Sequence, residues 1–553
     1  MKFEKFIKAI YSRILVLSLI IFFRTLASPY DTSAPLNPPC LTATAPNDTH
    51  RHSPIASAIE NGIVWDSVYF IRTAQCGYEY EQSYAFLPFL PLSISFLTPS
   101  ILSSFLPQRS LFALSAYIIN NLAFVLAALY FYRLSIAILK DPDIALRATV
   151  LFCFNPASIF YSSIYSESLY AVLSLGGLYY FVSGKNNLAV LLLALSGCAR
   201  SNGVLNAGYI CFQTMHRGYH ALFQNKNVPV RLWMPVILRM EGAGGLGLGC
   251  DILALQIAVV GALRSICISA PFVAFQAYGY YNMCVGRFPD ETRPWCNARI
   301  PLLYNYIQSF LRYFQLKQLP NFLLASPILS LAFYSVVHYA KSRPQIFFSL
   351  GFDTTIEEKS RGVVFLSEDL SRFKVAGTVE KSSVRAEEHF NVRRRKNIIK
   401  GDVSNVPIES EPEARSGYLS ASVLPFVLHL GFMAGTAFLV MHVQVSLVEY
   451  NWGSECGKMK MAILFEHTYG TAMVGIPSQI SYDSCLKFRH AMATIYKTVA
   501  TRFLSASPPL YWFAAYIMTY PAKYLRWGYL IWAYSAAYIL LGSLLFSNFY
   551  PFT

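Results

Sequence analysis

One acidic residue stands where the surrounding composition avoids charge. Asp66 lies in Trp65-Asp66-Ser67-Val68-Tyr69-Phe70, just beyond the first apolar segment. Its neighbours pull it into a membrane interface, where an acidic side chain is costly unless it has work or a partner. A carboxylate there can act as a general base, taking the proton from an attacking hydroxyl of a lipid-borne molecule. The same loop holds Glu60 and Glu79, which read as solvating residues, and Glu81, a candidate substrate contact.

A second candidate is Arg200, in Ala199-Arg200-Ser201-Asn202-Gly203 within the apolar run Leu188 to Phe212. A guanidinium at membrane depth costs about 2.5–3.5 kcal/mol and usually faces a cavity or a partner. Arg matches phosphate oxygens bidentately, so a lipid phosphate is a natural ligand, with Asn202 beside it as a further contact. The competing reading is that Arg200 snorkels or marks a break between two short spans. A third group is Asn155-Pro156-Ala157-Ser158, followed by Tyr165-Ser166-Glu167-Ser168. Pro156 breaks a helix, and Glu167 at the start of the next suits the helix dipole. Glu167 therefore reads equally as a helix start and as a substrate contact.

The elements that must position these residues are membrane spans. Only 14% of the 553 residues are charged, against 54% hydrophobic and 15% aromatic, and mean hydropathy is +0.39. Soluble domains run near 25% charged, so this is an all-α polytopic membrane protein. The N-terminus carries Lys2, Lys5, Lys8 and Arg13 before the apolar run Ile14 to Phe23. It reads as a signal anchor or a cleaved signal peptide, and either way the following loop, roughly 29–84, is translocated. That loop contains Asn47-Asp48-Thr49, an N-glycosylation acceptor at Asn47. Further apolar runs fall near 85–106, 111–139, 145–162, 168–183, 187–212, 252–278, 321–340, 420–445 and 527–547. With the first they amount to roughly 8–10 spans, because 145–162 and 168–183 read either as separate crossings or as one re-entrant pair.

The resulting organisation is a transmembrane core over 1–340 with translocated loops 29–84 and 279–319. A charged stretch, 341–418, follows and reads as a disordered cytosolic loop. A C-terminal transmembrane region covers 419–553. Two segments look foreign: the Gly-rich run Glu241 to Gly249, and the non-periodic stretch 446–499, which reads as an insertion. The Gly-rich run lacks the Lys-Ser/Thr of a phosphate-binding loop. The formal net charge of +15 is accounted for by Lys and Arg in cytosolic loops, without a nucleic-acid partner. No Cys-x-x-Cys pair occurs among the eleven cysteines, which argues against a zinc site. Cys40 and Cys76 share one polar loop and Cys284 and Cys296 another, where disulfides are open but connectivity is not fixed.

Seven stretches in order resemble the GPI mannosyltransferase 2 family, whose members add the second mannose to the glycosylphosphatidylinositol (GPI) anchor precursor. They are Trp65 to Phe70, Gly77-Tyr78-Glu79-Tyr80-Glu81, Phe154-Asn155-Pro156-Ala157, Ala199 to Gly203, Pro320 to Ala325, His442-Val443-Gln444-Val445 and Asn548 to Thr553. The resemblance implies a GT-C type glycosyltransferase in the endoplasmic reticulum membrane. It implies dolichyl-phosphate mannose as donor, a mannosylated glucosaminyl-phosphatidylinositol as acceptor and an α1,6 product bond. No cofactor beyond the donor is implied, and a small membrane subunit is a potential partner. Asp66 maps to the family's candidate base in the first luminal loop. The aromatic stretch that members carry between the segments matching Tyr306-Ile307-Gln308 and Phe310-Leu311-Arg312-Tyr313 is absent. A lipid or solute transporter, or a non-catalytic subunit of a membrane glycosylation complex, would also explain an intramembrane Arg and broken helices.

Overall fold

The computed structural model describes residues 2–30, 40, 54–98, 106–223, 246–285, 294–297, 319–354, 417–439 and 499–550. Among them the architecture is all helical. The bulk of the charged loop, 355–416, the segment 446–498 and the sequon at Asn47 lie outside the described residues.

Among the described residues, six stretches are long and apolar enough to cross a membrane alone: Ile7–Leu26, Gln108–Leu139, Ile252–Cys284, Leu323–Ser342, Ala421–Phe438 and Tyr524–Phe546. The N-terminal helix α1 (Lys2–Leu26) leads into two short helices of the first loop, α2 (Pro54–Glu60) and α3 (Ser67–Cys76), and then α4 (Phe89–Leu97). The expected span at 85–106 is thus helical in α4 for only nine described residues. Helix α5 (Gln108–Leu139) is the central post. At 1.5 Å per residue its 32 residues run about 48 Å, more than a bilayer's hydrocarbon core needs.

The pair of runs expected at 145–162 and 168–183 resolves into three helices, α6 (Pro142–Cys153), α7 (Ser158–Ser162) and α8 (Glu167–Val182). Asn155 makes the break before α7: its Oδ1 accepts from the Ala157 N–H at 2.8 Å and its Nδ2 donates to the Phe152 carbonyl at 2.7 Å. A break leaves carbonyls that lipid cannot satisfy. Arg13, in sequence part of a positive flank, supplies the donors instead. Its guanidinium donates to the carbonyls of Cys153 (2.9 Å) and Ser158 (3.1 Å) and to Ser162 Oγ (2.9 Å), and lies 3.7 Å from the Phe124 ring centre. α1 is therefore bonded into the core, which favours the anchor over the cleaved leader.

The run 187–212 also divides. α9 (Asn186–Ala199) ends before Arg200, a 3₁₀ turn covers Ser201–Asn206, and α10 (Ala207–Phe223) follows. Arg200 sits in the break, so no continuous helix carries it through the membrane. The remaining helices are α11 (Leu246–Cys284), α12 (Leu319–Ser342), α13 (Pro344–Phe348), α14 (Leu424–Leu439), α15 (Val499–Leu504), α16 (Pro508–Met518) and α17 (Pro521–Leu541).

Hydrogen bonds between helix ends sort the described chain into two faces. On the first, Ser110 bonds Glu60 at 2.6 Å and Tyr538 bonds the Leu324 carbonyl at 2.9 Å. The disulfides Cys40–Cys76 and Cys284–Cys296 bracket loop elements of this face. On the second, the Gly417 N–H donates to the Leu139 carbonyl at 2.9 Å, and His216 meets the Leu350 carbonyl at 2.9 Å. Lys140, Lys185, Arg217 and Lys341 lie toward the second face. α15 returns the chain to the first face, where Arg502 enters the site.

Candidate active site

Four charged side chains from distant parts of the chain meet on the first face. Glu167, the first residue of α8, is at the centre. Its Oε1 accepts from Arg200 Nη1 at 2.5 Å and from Arg502 Nε at 2.6 Å. Arg502 Nη1 reaches Asp66 Oδ2 at 3.4 Å. The Glu167 side chain is 2% exposed and Asp66 is 21% exposed. Glu167 is thus an interior counterion between two guanidinium groups, while Asp66 is the carboxylate of the cluster that a substrate can reach.

The backbone around Asp66 is fixed from two sides. Trp65 adopts φ +55°, a left-handed conformation that costs a non-glycine residue roughly 1–2 kcal/mol. What holds it there is the C-terminus: Trp65 Nε1 donates to the Phe546 carbonyl at 3.2 Å, and its ring stacks on Phe549 at 4.5 Å. On the other side the Asp66 N–H donates to Tyr165 Oη at 3.2 Å, and Ser67 Oγ donates to the Ile164 carbonyl at 3.2 Å. The Arg502 guanidinium lies 4.6 Å and 4.7 Å from the ring centres of Phe160 and Tyr165. These rings restrict the cation without neutralising it.

Burial pushes the Asp66 carboxyl above the ordinary aspartate value, and the Arg502 charge pulls it partly back. A carboxylate so placed is a stronger base than a solvated one.

The turn after Arg200 depends on Gly203. A Cβ there would stand 2.5 Å from the Gly197 amide nitrogen and the Ser196 carbonyl carbon, both backbone atoms that cannot swing away. The close crossing presses Asn202 into the protein, where its Oδ1 and Nδ2 are buried with no hydrogen-bond partner among the described residues. Glu167 Oε2 is in the same condition. Leaving a buried polar atom unmade costs about 1–3 kcal/mol, so these atoms suit a polar ligand.

Residues 3–240, 250–448 and 487–553 match the family described as Mannosyltransferase (PIG-V). The chain belongs to the PIG-V mannosyltransferase family. Mannosyltransferases of this family are glycosyltransferases, and the chain is one. The two internal stretches outside that match, 241–249 and 449–486, overlap the Gly-rich run and the non-periodic segment. The chain is 31% identical to mouse GPI alpha-1,6-mannosyltransferase 2 over 324 residues, 54% of this chain and 61% of that protein. The rat protein of the same name is 29% identical over 389 residues, covering 64% and 72%. GPI mannosyltransferase 2 of Drosophila pseudoobscura is 26% identical over 512 residues, covering 88% and 86%. No solved structure matches the chain.

Among the residues singled out in the sequence, the structure brings Asp66, Glu167 and Arg200 into one cluster, with Asn202 two residues beyond Arg200. Glu81 is elsewhere. Its Oε1 accepts from Trp295 Nε1 at 2.8 Å, tying the first loop to the short turn Pro294–Asn297. That bond is a structural account of Glu81, apart from the cluster of Asp66, Glu167 and Arg200. Glu79 pairs with Arg72 at 2.7 Å, and Glu60 with Ser110. The metal-like grouping found among the described residues is Cys40, Cys76 and Glu79, and its cysteines are joined as a disulfide. Arg502 is the residue that sequence reasoning missed. Its signal was the same as that of Arg200, a lone cation at the edge of an apolar run, in Thr501-Arg502-Phe503-Leu504.

Proposed function

We propose that this chain transfers the second mannose, through an α1,6 bond, from dolichyl-phosphate mannose to the GPI-anchor precursor at the luminal face of the endoplasmic reticulum membrane. The observation that carries the reading is Asp66: a partly exposed carboxyl whose proton affinity burial raises, beside Arg502 in a cluster that also holds Arg200, on a disulfide-bearing face. Disulfides belong to an oxidising compartment, and the lysines of the opposite face agree with a cytosolic side.

In the proposed reaction an acceptor sugar hydroxyl gives its proton to Asp66 as its oxygen bonds the anomeric carbon of mannose. The bond from that carbon to the phosphate oxygen breaks, and dolichyl phosphate leaves with the electron pair. The phosphate gains negative charge as it departs, and Arg200 and Arg502 are the cations of the site that can stabilise it. Glu167 keeps both guanidiniums in place. The leaving group is already a phosphate, so no cofactor beyond the donor is required.

The test is mannosyl transfer to the monomannosyl acceptor in membranes bearing the full chain. Asp66→Asn should lower the rate about 10²–10⁴-fold, the usual contribution of a positioned base. Wild-type chain that transfers no mannose, or an Asp66→Asn variant within threefold of wild type, refutes the reading.

A further inference from the structure

We infer that Arg502 is the positioning residue of the base: it aims the Asp66 carboxylate and holds it ionised before the donor arrives. The inference rests on the proposed role of Asp66 and adds what controls it.

The geometry has three parts. First, Arg502 is anchored elsewhere. Its Nε is bound to Glu167 at 2.6 Å and its guanidinium stands beside the rings of Phe160 and Tyr165. Secondly, its contact to Asp66 is longer, 3.4 Å. A short anchor on one nitrogen and a loose contact on another describe a cation fixed by Glu167 and presented to Asp66. Thirdly, the direct Arg502 partners are both carboxylates, and Arg200 shares Glu167. The four charges sum to zero, so Asp66 ionises without leaving a net charge in the cluster.

Every charged or titratable group facing Asp66 has a place in this account. Arg502 on α15 favours the carboxylate. Glu167 at the head of α8 opposes it, and its own charge is shared between Arg200 and Arg502. Tyr69, three residues on in α3, and Tyr165 in the α7–α8 connection are neutral phenols near neutral pH. Tyr165 accepts the Asp66 N–H, and its hydroxyl also favours the Asp66 carboxylate; Arg502 is the cation that directly contacts the carboxylate among the described residues. An opposite charge at such a distance lowers a carboxyl pKa by about 1–3 units.

The experiment is the pH profile of kcat/KM for the donor, measured in membranes with wild type, Arg502→Gln and Arg502→Lys. In wild type the rate rises with pH as Asp66 ionises. Removing the cation moves that acid limb up by at least about one unit. The Gln variant is then weak at neutral pH and recovers toward alkaline pH. The Lys variant keeps a charge without the planar fork, so its limb lies between the two. A merely structural Arg502 lowers the whole profile and leaves the limb in place. A limb at the wild-type pH in the Gln variant overturns the inference. If that variant does not accumulate, Arg502→Met is read in its place, and a limb at the wild-type pH overturns the inference equally. Loss of transfer in Asp66→Asn is read separately and bears on the functional proposal, since Arg502 can lack this role even where Asp66 is the base.

Discussion

Replacing Glu167 by Gln tests whether one buried carboxylate holds the site together. The side chain is 2% exposed and its Oε1 meets two guanidiniums, at 2.5 Å and 2.6 Å. Two unit charges about 4 Å apart attract by about 4 kcal/mol at an effective dielectric of 20. Gln keeps the shape and some hydrogen bonding but removes the charge. Arg200 and Arg502 then repel each other, with only Asp66 left at 3.4 Å from one of them. The cluster changes from neutral to a net charge of one positive unit. Breaking a buried pair in this way costs about 3–5 kcal/mol. The arginines are 16% and 14% exposed, so the lower end, about 3 kcal/mol, is expected. That is a large part of an ordinary folding free energy of 5–15 kcal/mol. The assay is the folded fraction of full-length chain in detergent after graded heating, read by size-exclusion chromatography. Glu167→Gln should melt several degrees below wild type. The double variant Glu167→Gln/Arg200→Gln restores neutrality and should recover part of the loss. A single variant that melts with wild type, or a double variant no better than the sum of the singles, refutes the electrostatic account.

Two further outcomes follow from the packing. Gly203→Ala places a methyl group 2.5 Å from backbone atoms of Gly197 and Ser196. It should displace the Arg200–Asn202 turn and reduce transfer at least tenfold, whereas Gly208→Ala, with open space around it, should be near neutral; equal effects in the transfer assay would defeat this. Trp295→Phe removes the 2.8 Å donor to Glu81, and a neutral-to-charged bond of this kind is worth about 1.5–3 kcal/mol. It should increase proteolysis of the first loop without altering the pH profile of transfer, and a shifted profile would return Glu81 to the site.

Much of this site was visible as charge in the wrong place. Asp66, Glu167 and Arg200 each stood out because an apolar neighbourhood makes an ionised side chain expensive. What the chain's order hides is that the expense is shared. Arg502 lies 335 residues beyond Glu167, and no local pattern links them. The division of 187–212 at Arg200 was among the readings open for that residue, and Ser201-Asn202-Gly203, all poor helix formers, accord with it. The division of 145–162 was marked by Pro156, but its satisfaction by Arg13 was not, because Lys2, Lys5 and Lys8 make Arg13 look like one more flanking charge. Glu81 was legible as an acid, but its bond to Trp295 was not. Its partner Trp295 belongs to a different loop, and pairing between loops leaves no periodicity to read.

The position of Trp65 joins the two ends of the chain to the chemistry. A left-handed tryptophan persists only where its surroundings over-determine it. Here the surroundings are the last described turn, in which Phe549 is itself left-handed at φ +62° and stacks on the Trp65 ring. The same turn is bonded to α1: Arg24 donates to the Ser547 carbonyl, and Asn548 Nδ2 donates to the Phe23 carbonyl at 3.1 Å. The first span and the C-terminal turn therefore clamp the residue that precedes Asp66, the proposed base. From the other side Tyr165 and Ile164 hold the backbone of Asp66 and Ser67. A general base gains from such restraint, because a carboxylate already aimed loses little freedom on reaching the transition state. On the proposed role of Asp66, the aromatic C-terminal residues bear on catalysis through the direction in which its carboxylate points.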